Sequence, residues 1–281
     1  PLPAKAKIDP SLGDDACNWL NEYIAFSQKM SPRAYEDFHE AVGLFVLSTV
    51  AARRLAVHVG QKSILTNLYI SLCALTSFFA KSTTANLARN VLEAAQLHYL
   101  LAPNDATPQA FISDLAGKLP PNYSKLPPMQ QDFEEKRLTF SGQKGWHYSE
   151  FGMKIKALMK ENGTMADFRG LFRVLDDGHD KYSYNTVSRG RETIEKPYVP
   201  LLADMTPEDI RPYAGQGNGL WRDGFWPRFV FITPPGEAQP NKERFPDQKL
   251  PIPKEITDPL IDWNRRLGKP KVSIKPIYDA K

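Results

Sequence analysis

The chain has 281 residues, of which 42% are hydrophobic and 24% are charged, and its formal net charge is +4. These proportions are typical of a folded globular protein and exclude a disordered chain, while the length suits one large domain or a core with an added helical part. The mildly basic balance is compatible with a nucleotide or nucleic-acid partner without requiring one.

The cysteines, histidines and apolar runs exclude several kinds of site. Cys17 and Cys73 are far apart and fit neither a zinc site nor a disulfide framework, and the histidines show no metal-ligand spacing. The longest apolar stretch, Ala41–Ala52, is interrupted by Ser48 and Thr49, whereas a membrane span needs about 20 apolar residues. The N-terminal residues also lack the apolar segment of a signal peptide. We therefore predict a cytoplasmic protein in a reducing compartment.

Hydrophobic periodicity predicts helices in the first part of the chain. One helix begins at a cap on Asp14 or Asp15 and runs to about residue 30. A second helix restarts with Ser31 as its cap and Pro32 at its first position. Because this second helix is apolar on most faces, we expect it to be buried.

The rest of the chain alternates predicted strands with predicted helices. The predicted strands lie at 64–75, in a pair around Ser141-Gly142 within 136–148, in a hairpin of 182–187 and 192–198, at 199–203 and at 229–232. The predicted helices lie at 82–101, 108–118, 150–160, 164–175, briefly from 206, and at 256–267. This alternation implies an α/β fold with a mainly parallel sheet, whose ligands bind at the carboxyl ends of the strands. We divide the chain into an N-terminal helical region (1–60), an α/β core (61–235), and a proline-rich linker with a C-terminal helix (236–281).

The segment Leu75–Thr83 follows an apolar strand and leads into a helix that begins with Lys81-Ser82. A strand, a turn and Lys-Ser at a helix start form the arrangement of a phosphate-binding P-loop. The helix N-terminus offers free amides and a positive dipole end, the lysine reaches the outer phosphates, and the serine hydroxyl can bind Mg²⁺. The candidate phosphate-binding residues are Thr76, Ser77, Ala80, Lys81, Ser82 and Thr83.

This segment departs from the regular motif, which has glycine at the positions of Leu75 and Ala80 and often also at that of Phe78. Glycine serves there because the backbone must approach phosphate closely and can need a positive φ. On the pattern alone, a core strand followed by an ordinary helix start with an exposed lysine is an equal alternative.

Several segments between residues 15 and 270 match the motifs of one family. They are Asn67–Ile70, Ala80–Thr83, Asp105–Pro108, Ser113-Asp114, Gly145–Gly152, Thr186–Arg191 and Gly224–Phe229. Through them the chain resembles a family of uncharacterised P-loop proteins of phages and mobile genetic elements, related to primase-helicases. The resemblance implies a P-loop NTPase core of the RecA/AAA+ type, with a helical region before it.

The resemblance also implies roles for individual residues. Lys81 would contact phosphates, Ser82 would hold Mg²⁺, and Glu150 would orient the attacking water. Ser149 stands where the family has an aspartate that holds Mg²⁺ through water, and a neutral hydroxyl is a poorer Mg²⁺ partner than a carboxylate. The context of Arg228 is similar to the arginine finger of ring-shaped replicative helicases, which acts across a subunit boundary. A salt bridge or a surface arginine is the alternative for that residue.

The predicted hairpin carries basic residues with Tyr182 and Tyr184 between them, a combination that suits phosphate contacts and base stacking on a nucleic-acid strand. Glu192 and Glu195 dilute the charge, so an ordinary solvated hairpin is the alternative. The candidate nucleic-acid residues are Lys181, Arg189, Arg191 and Lys196.

The sequence thus predicts an ATP- and Mg²⁺-dependent, helicase-like motor subunit of a phage or mobile-element replication system. We expect it to act on nucleic acid, DNA in preference to RNA, as a homo-oligomer that could form a ring. One alternative is a non-hydrolysing scaffold that binds DNA or protein. Another is an unrelated α/β enzyme, although the sequence has no nucleophile elbow, dinucleotide fingerprint or metal cluster.

Overall fold

The structure is a computed structural model that describes residues 17–60, 62–120, 122–160, 165–186, 190–215, 217–239, 241–248 and 250–270. The α-helices in this part are α1 (Asn18–Met30), α2 (Glu36–Ala51), α3 (Lys81–Ala94), α4 (Pro108–Leu115), α5 (Pro128–Thr139), α6 (Phe151–Leu158), α7 (Asp167–Asp176), α8 (Pro207–Ile210), α9 (Gly219–Arg222) and α10 (Lys254–Leu267). The strands are β1 (Ala56–Val59), β2 (Lys62–Leu65), β3 (Tyr69–Cys73), β4 (Trp146–Tyr148), β5 (Lys181–Thr186), β6 (Gly190–Glu195), β7 (Leu201–Met205) and β8 (Phe229–Ile232).

A four-stranded sheet with the order β4-β7-β3-β8 forms the centre of the molecule. All of its neighbouring strands run parallel, which confirms the predicted α/β class and the parallel sheet. The strand β3 lies between two strands that come later in the chain, so the strand order reverses beside it. Such reversal points are where open α/β sheets bind ligands, at the carboxyl ends of the strands.

Helices cover the sheet on both faces, and β3 shows why its sequence is continuously apolar. Ile70 and Leu72 pack into a first hydrophobic cluster, whereas Tyr69 and Cys73 pack into a second one on the other face. All five residues of β3 are buried, as expected for a strand covered on both sides. The first cluster draws its members from α1, α2, α3 and α10, so all three predicted regions of the chain contribute to one core.

The predicted strand at 64–75 is divided in the structure. Its first part, β2, pairs with β1 in a separate antiparallel hairpin, and β3 begins only at Tyr69. The division falls at two polar side chains with distant partners: the Thr66 hydroxyl lies 2.9 Å from the Tyr198 hydroxyl, and the Asn67 amide donates to Asp176 at 2.8 Å. These contacts leave both residues outside a strand.

The predicted strand pair around Ser141-Gly142 is wrong. Residues 128–139 form α5, and the strand β4 is limited to Trp146–Tyr148. The physical reason is a strong local helix signal, because α5 begins with Pro128 at its first position and continues with glutamine, glutamate, lysine and arginine.

Other helix boundaries differ by less than a few turns. The second helix begins at Glu36 rather than at Ser31, the helix after the phosphate loop ends at Ala94, and the glycine-rich segment 215–224 contains the short α9. The predicted cap at residues 14 and 15 lies outside the described residues. Within the described residues, no helix combines the length and the apolar character that a membrane span requires.

Candidate functional site

The phosphate-loop segment connects β3 to α3, as the sequence predicts. Ser77 and Ala80 adopt left-handed backbone conformations, with φ of +62° and +44°. This region favours glycine and costs other residues roughly 1–2 kcal/mol. Ala80 stands at the second glycine position of the motif, so the loop takes a glycine-like conformation there without a glycine. Leu75, at the first glycine position, is not among the residues with positive φ.

The N-terminus of α3 has free hydrogen-bond donors. The helix is 14 residues long, and its cap residue, Ala80, has no side chain that could accept from the first turn. The first helical bond runs from the amide of Thr84 to the carbonyl of Ala80 at 3.0 Å. Among the described residues, nothing accepts a hydrogen bond from the amides of Lys81, Ser82 and Thr83. These amides and the helix dipole favour an anion at this end.

The Lys81 side chain is only 9% exposed. In the part of the chain that the structure describes, its ammonium group has neither a hydrogen bond nor an ion pair. The ammonium nitrogen is not among the buried polar atoms that lack a partner, so the covered part of Lys81 is its stem and the charged end is open to an anionic ligand. Of the remaining loop residues, Thr76, Ser77, Ser82 and Thr83 are exposed, and their hydroxyls are available to a ligand.

The two phenylalanines of the loop point to different environments. Phe79 is 7% exposed and packs in the first hydrophobic cluster, where its ring meets Tyr35 edge-on at 6.5 Å. Phe78 is 50% exposed, so it is not packed into the protein beneath the loop. The replacement of motif glycines by larger residues therefore does not fill the loop with a buried side chain.

Ser149 and Glu150 join β4 to α6 at the same edge of the sheet as the phosphate loop, because β4, β7 and β3 are parallel. Both residues are exposed, and Glu150 has a left-handed backbone with φ of +55°. Its amide donates to Asp204 Oδ1 at 2.8 Å. The strained conformation is thus fixed by a carboxylate from the neighbouring strand.

Asp204 is a site residue that the sequence analysis missed. It lies in β7 between β3 and β4, pairs in register with Leu72, and is 2% exposed. Its Oδ2 atom has no hydrogen-bond partner among the described residues. A buried carboxylate oxygen without a partner is costly unless a cation or a water binds it. The available signal was a single acidic residue within the apolar run Leu201–Met205.

His147 does not neutralise Asp204. The imidazole is 5% exposed, and burial lowers its pKa to about 4, against an opposing effect of Asp204. Arg89 on α3 lowers the pKa further. The ring is therefore neutral near physiological pH, and its Nε2 lies 3.5 Å from the Ser149 hydroxyl. The imidazole therefore brings no positive charge to Asp204.

The segment after β7 packs directly on the start of α6. Thr206 and Asp209 form a capping box, in which the Asp209 carboxylate accepts from the Thr206 hydroxyl at 2.8 Å. Lys156 of α6 lies 3.4 Å from the same carboxylate. A side chain at Gly152 would place its Cβ 2.1 Å from Cγ of Asp209. Gly152 is thus required because α8 lies too close to leave room for a side chain at this position.

We expect Gly152→Ala to lower the free energy of unfolding by about 1–3 kcal/mol, because the added methyl group must displace Asp209 and disrupt the capping box. Gly170→Ala is the matched control, since Gly170 also lies in a helix and its nearest neighbour to a Cβ is 3.8 Å away. That control should be neutral or stabilising by up to about 1 kcal/mol, since alanine favours helices over glycine. Urea unfolding of both variants measures the difference, and a destabilised control or an unaffected Gly152→Ala would contradict the expectation.

Arg228 lies apart from this site. It precedes β8 and therefore sits at the amino edge of the sheet, opposite the phosphate loop. Its guanidinium contacts Asp176 at 3.1 Å and Asp177 at 2.7 Å, and donates to the carbonyl of Gly224 at 2.6 Å. The structure thus forms the intrachain salt bridge that the sequence left open as an alternative. A role across a subunit boundary stays a prediction.

The hairpin β5–β6 separates its basic residues from its tyrosines. Tyr182 and Tyr184 are half-buried against the second hydrophobic cluster, so Lys181 and the other odd-numbered residues of β5 face the opposite side. Lys181 pairs with Glu195 at 3.0 Å. The tyrosines therefore do not lie among the basic side chains on one face.

Of the other candidate nucleic-acid residues, Arg191 donates to the Ser183 hydroxyl at 3.3 Å, and Arg189 lies outside the described residues. The amide of Lys196 donates to the carbonyl of Asp180 at 2.7 Å, and this residue has a φ of +49°. Phosphate contacts by these residues stay a prediction.

No model of a known protein family matches the chain, and no curated protein matches it. The family resemblance thus stays a prediction, and the function has to be argued from the arrangement of the site itself.

Proposed function

We propose that this chain binds ATP with Mg²⁺ at the carboxyl edge of β3 and β7 and hydrolyses it as a helicase-like motor subunit. The observation that carries the proposal is the start of α3, where the amides of Lys81, Ser82 and Thr83 and the Lys81 ammonium have no partner in the described residues. A buried parallel strand leads directly into this cradle. These features suit a phosphate tail, which would supply the missing negative charge.

The residues present also suit Mg²⁺. Asp204 offers a buried carboxylate oxygen without a partner in the described residues, and Ser82 and Ser149 offer exposed hydroxyls. Mg²⁺ prefers oxygen ligands, keeps several waters, and is commonly held by one or two carboxylates together with substrate phosphates. Within the described residues no cluster of three or more His, Cys, Asp or Glu side chains could hold a metal. A Mg²⁺ site that is shared with substrate phosphates and waters does not require such a cluster.

Asp204 therefore compensates for the serine that replaces the usual aspartate at Ser149. When bound, the ion would neutralise charge on the phosphates. The chain's own contribution would be positioning: Lys81 holds the phosphates, and Asp204 fixes the backbone of Glu150 through the 2.8 Å hydrogen bond. The exposed Glu150 carboxylate would orient the attacking water.

The partner and assembly proposals rest on less extensive features. The net charge of +4 and the basic residues of β5 and β6 suit a DNA backbone. Arg228 could act on a neighbouring subunit of a homo-oligomer only after release from Asp176 and Asp177. The setting we propose is a replication system of a phage or mobile genetic element.

A non-hydrolysing scaffold is the second candidate function. It is favoured by the neutral hydroxyl at Ser149 and by the large residues Leu75 and Phe78 in the loop, which are 45% and 50% exposed. Such a protein would bind the nucleotide without turnover and would act through DNA or protein contacts.

Titration calorimetry with Mg-ATP, followed by phosphate-release assays with and without single-stranded DNA, tests both candidates. We expect ATP to bind and DNA to stimulate turnover. Glu150→Gln should remove turnover while leaving ATP affinity unchanged, because it removes the water-orienting charge and not the phosphate contacts. Glu93→Gln, on the exposed side of α3, is the matched control and should behave as wild type. Binding without any turnover would support the scaffold, and absence of binding would refute the site.

A further inference from the structure

A cavity of about 510 Å³ lies beside the phosphate loop. Its walls come from Gln28 of α1, from the start of α2 and the turn before it, from the loop residue Phe79, and, after β8, from Ala238, Gln239, Asn241 and Glu243. The residues that matter to its chemistry are Gln28, Tyr35, His39, Phe79, Gln239 and Asn241. The volume is within the range of about 300–1,000 Å³ that is typical of ligand pockets.

We infer that this cavity receives the nucleobase of the nucleotide whose phosphates bind at α3. The inference rests on the proposed function and adds to it the position of the base. It also gives the N-terminal helices a direct part in nucleotide recognition.

Phe79 connects the cavity to the phosphate-binding residues at the start of α3. It lines the cavity and precedes Lys81 by two residues, so the Cα atoms of the two are separated by at most roughly 7 Å. A single ligand can therefore reach both the cavity and the start of α3. The rings of Phe79 and Tyr35, which meet edge-on at 6.5 Å, offer flat apolar surface of the kind on which bases stack.

The distribution of charge indicates which end of the ligand enters the cavity. The Lys81 ammonium and the free amides of α3 are not among the cavity-lining groups, whereas Glu36 and Glu243 line the cavity. These carboxylates disfavour phosphate groups in the cavity and leave it to an uncharged part of the ligand.

The polar groups of the cavity suit a neutral heterocycle. Gln239 and Asn241 carry amides that can both donate and accept. His39 is 2% exposed, and its Nδ1 lies 2.7 Å from the Ser27 hydroxyl. Burial lowers the pKa of His39 to about 4, so the ring carries no charge near physiological pH.

The wall formed by residues 241–245 is held in place by Arg33. Its Nε donates to the carbonyl of Glu243 at 2.9 Å, and its guanidinium lies 5.5 Å above the ring of Phe245. The amide of Glu243 also donates to Asn241 Oδ1 at 3.1 Å. The cavity is therefore a built feature that joins the turn before α2 to the segment after β8.

A variant that fills the cavity tests the inference. Ala34 lines the cavity and is half-buried, so Ala34→Trp should occupy the space of a base without changing the phosphate loop. Binding of Mg-ATP and of inorganic tripolyphosphate with Mg²⁺ is measured by calorimetry in the wild type and the variant. We expect ATP affinity to fall about tenfold or more and tripolyphosphate affinity to stay unchanged. Ala25→Trp, on the exposed surface of α1, is the control for added bulk, and thermal unfolding checks that both variants fold.

The outcomes separate this inference from the proposed function. Equal loss of both ligands in Ala34→Trp, or no loss of either, overturns the base position. Wild-type protein that binds tripolyphosphate as tightly as ATP also overturns it, while leaving the phosphate site intact. If neither ligand binds to the wild type, the proposed function fails and the base position fails with it. Should Ala34→Trp not fold, Gln239→Ala, at an exposed position of the wall, must weaken ATP and spare tripolyphosphate.

Discussion

Replacement of Lys81 with alanine should weaken Mg-ATP binding by at least about 100-fold, which corresponds to roughly 2.7 kcal/mol. The ammonium is the cation that the structure places beside the free amides of the loop, and in the described residues it has no other partner. The same change should leave the free energy of unfolding of the nucleotide-free protein nearly unchanged, because the ammonium makes no hydrogen bond or ion pair in the described residues. A residue that serves the ligand and not the fold has this combination of effects.

Calorimetric titration and urea unfolding of the same Lys81→Ala preparation test both parts of this expectation. Lys29→Ala is the matched control, since Lys29 is an exposed lysine near the end of α1 and should alter neither property. Unchanged ATP affinity in Lys81→Ala would eliminate the phosphate site. A strongly destabilised variant would instead assign Lys81 to the core.

The elements that sequence reasoning predicted best are those whose local signals agree with their tertiary environment. The apolar residues of β3 within the predicted strand and the short helix predicted from 206 are examples: β3 is buried on both faces, and Thr206 forms a capping box with Asp209. The turn into Lys81 also follows from a short motif, because a strand end and a helix start are both local features.

The failures occurred where long-range contacts decide the structure. Thr66 and Asn67 leave the strand because Tyr198 and Asp176, more than 100 residues away, bind their side chains. The predicted strand pair around Ser141 failed for the opposite reason, since the signals that favour α5 over a strand are local. Neither error moves the phosphate loop, because both lie outside β3.

Asp204 shows what a single sequence cannot reveal about a site. Its importance depends on β7 lying between β3 and β4, and this insertion is a property of strand order. Strand order is set by packing of distant segments, so it cannot be read from the residues around Asp204 themselves. Separation of the hairpin tyrosines from the basic residues follows from simple alternation, and it could have been predicted.

Arg54→Leu should cause the largest loss of stability, about 3–5 kcal/mol in the free energy of unfolding. The guanidinium is 2% exposed and lies 5.0 Å from the ring of Phe140. Burial lowers its pKa to about 10, still well above neutrality. It donates to carbonyl groups at the ends of two helices, namely Val50 and Ala51 of α2 and Asn264 and Gly268 at the end of α10. Leucine would remove this donor from the carbonyls of Val50, Asn264 and Gly268, whereas the Ala51 carbonyl keeps the backbone amide of residue 54 at 2.8 Å. Each buried group left unsatisfied costs about 1–3 kcal/mol.

Urea unfolding separates the contribution of the Arg54 hydrogen bonds to stability from that of its charge. The variants to compare are Arg54→Leu, Arg54→Lys and Arg265→Leu. Lysine keeps the charge but cannot reach both helix ends with a planar fork, so Arg54→Lys should lose an intermediate amount. Arg265, an exposed residue of α10 that pairs with Asp262, is the matched control and should lose less than about 0.5 kcal/mol. Because α10 contributes Ile256 and Leu260 to the first cluster, loss of the Arg54 contacts should also expose α10 to trypsin before global unfolding. A stable, protease-resistant Arg54→Leu protein would show that apolar packing alone holds α10 on the core.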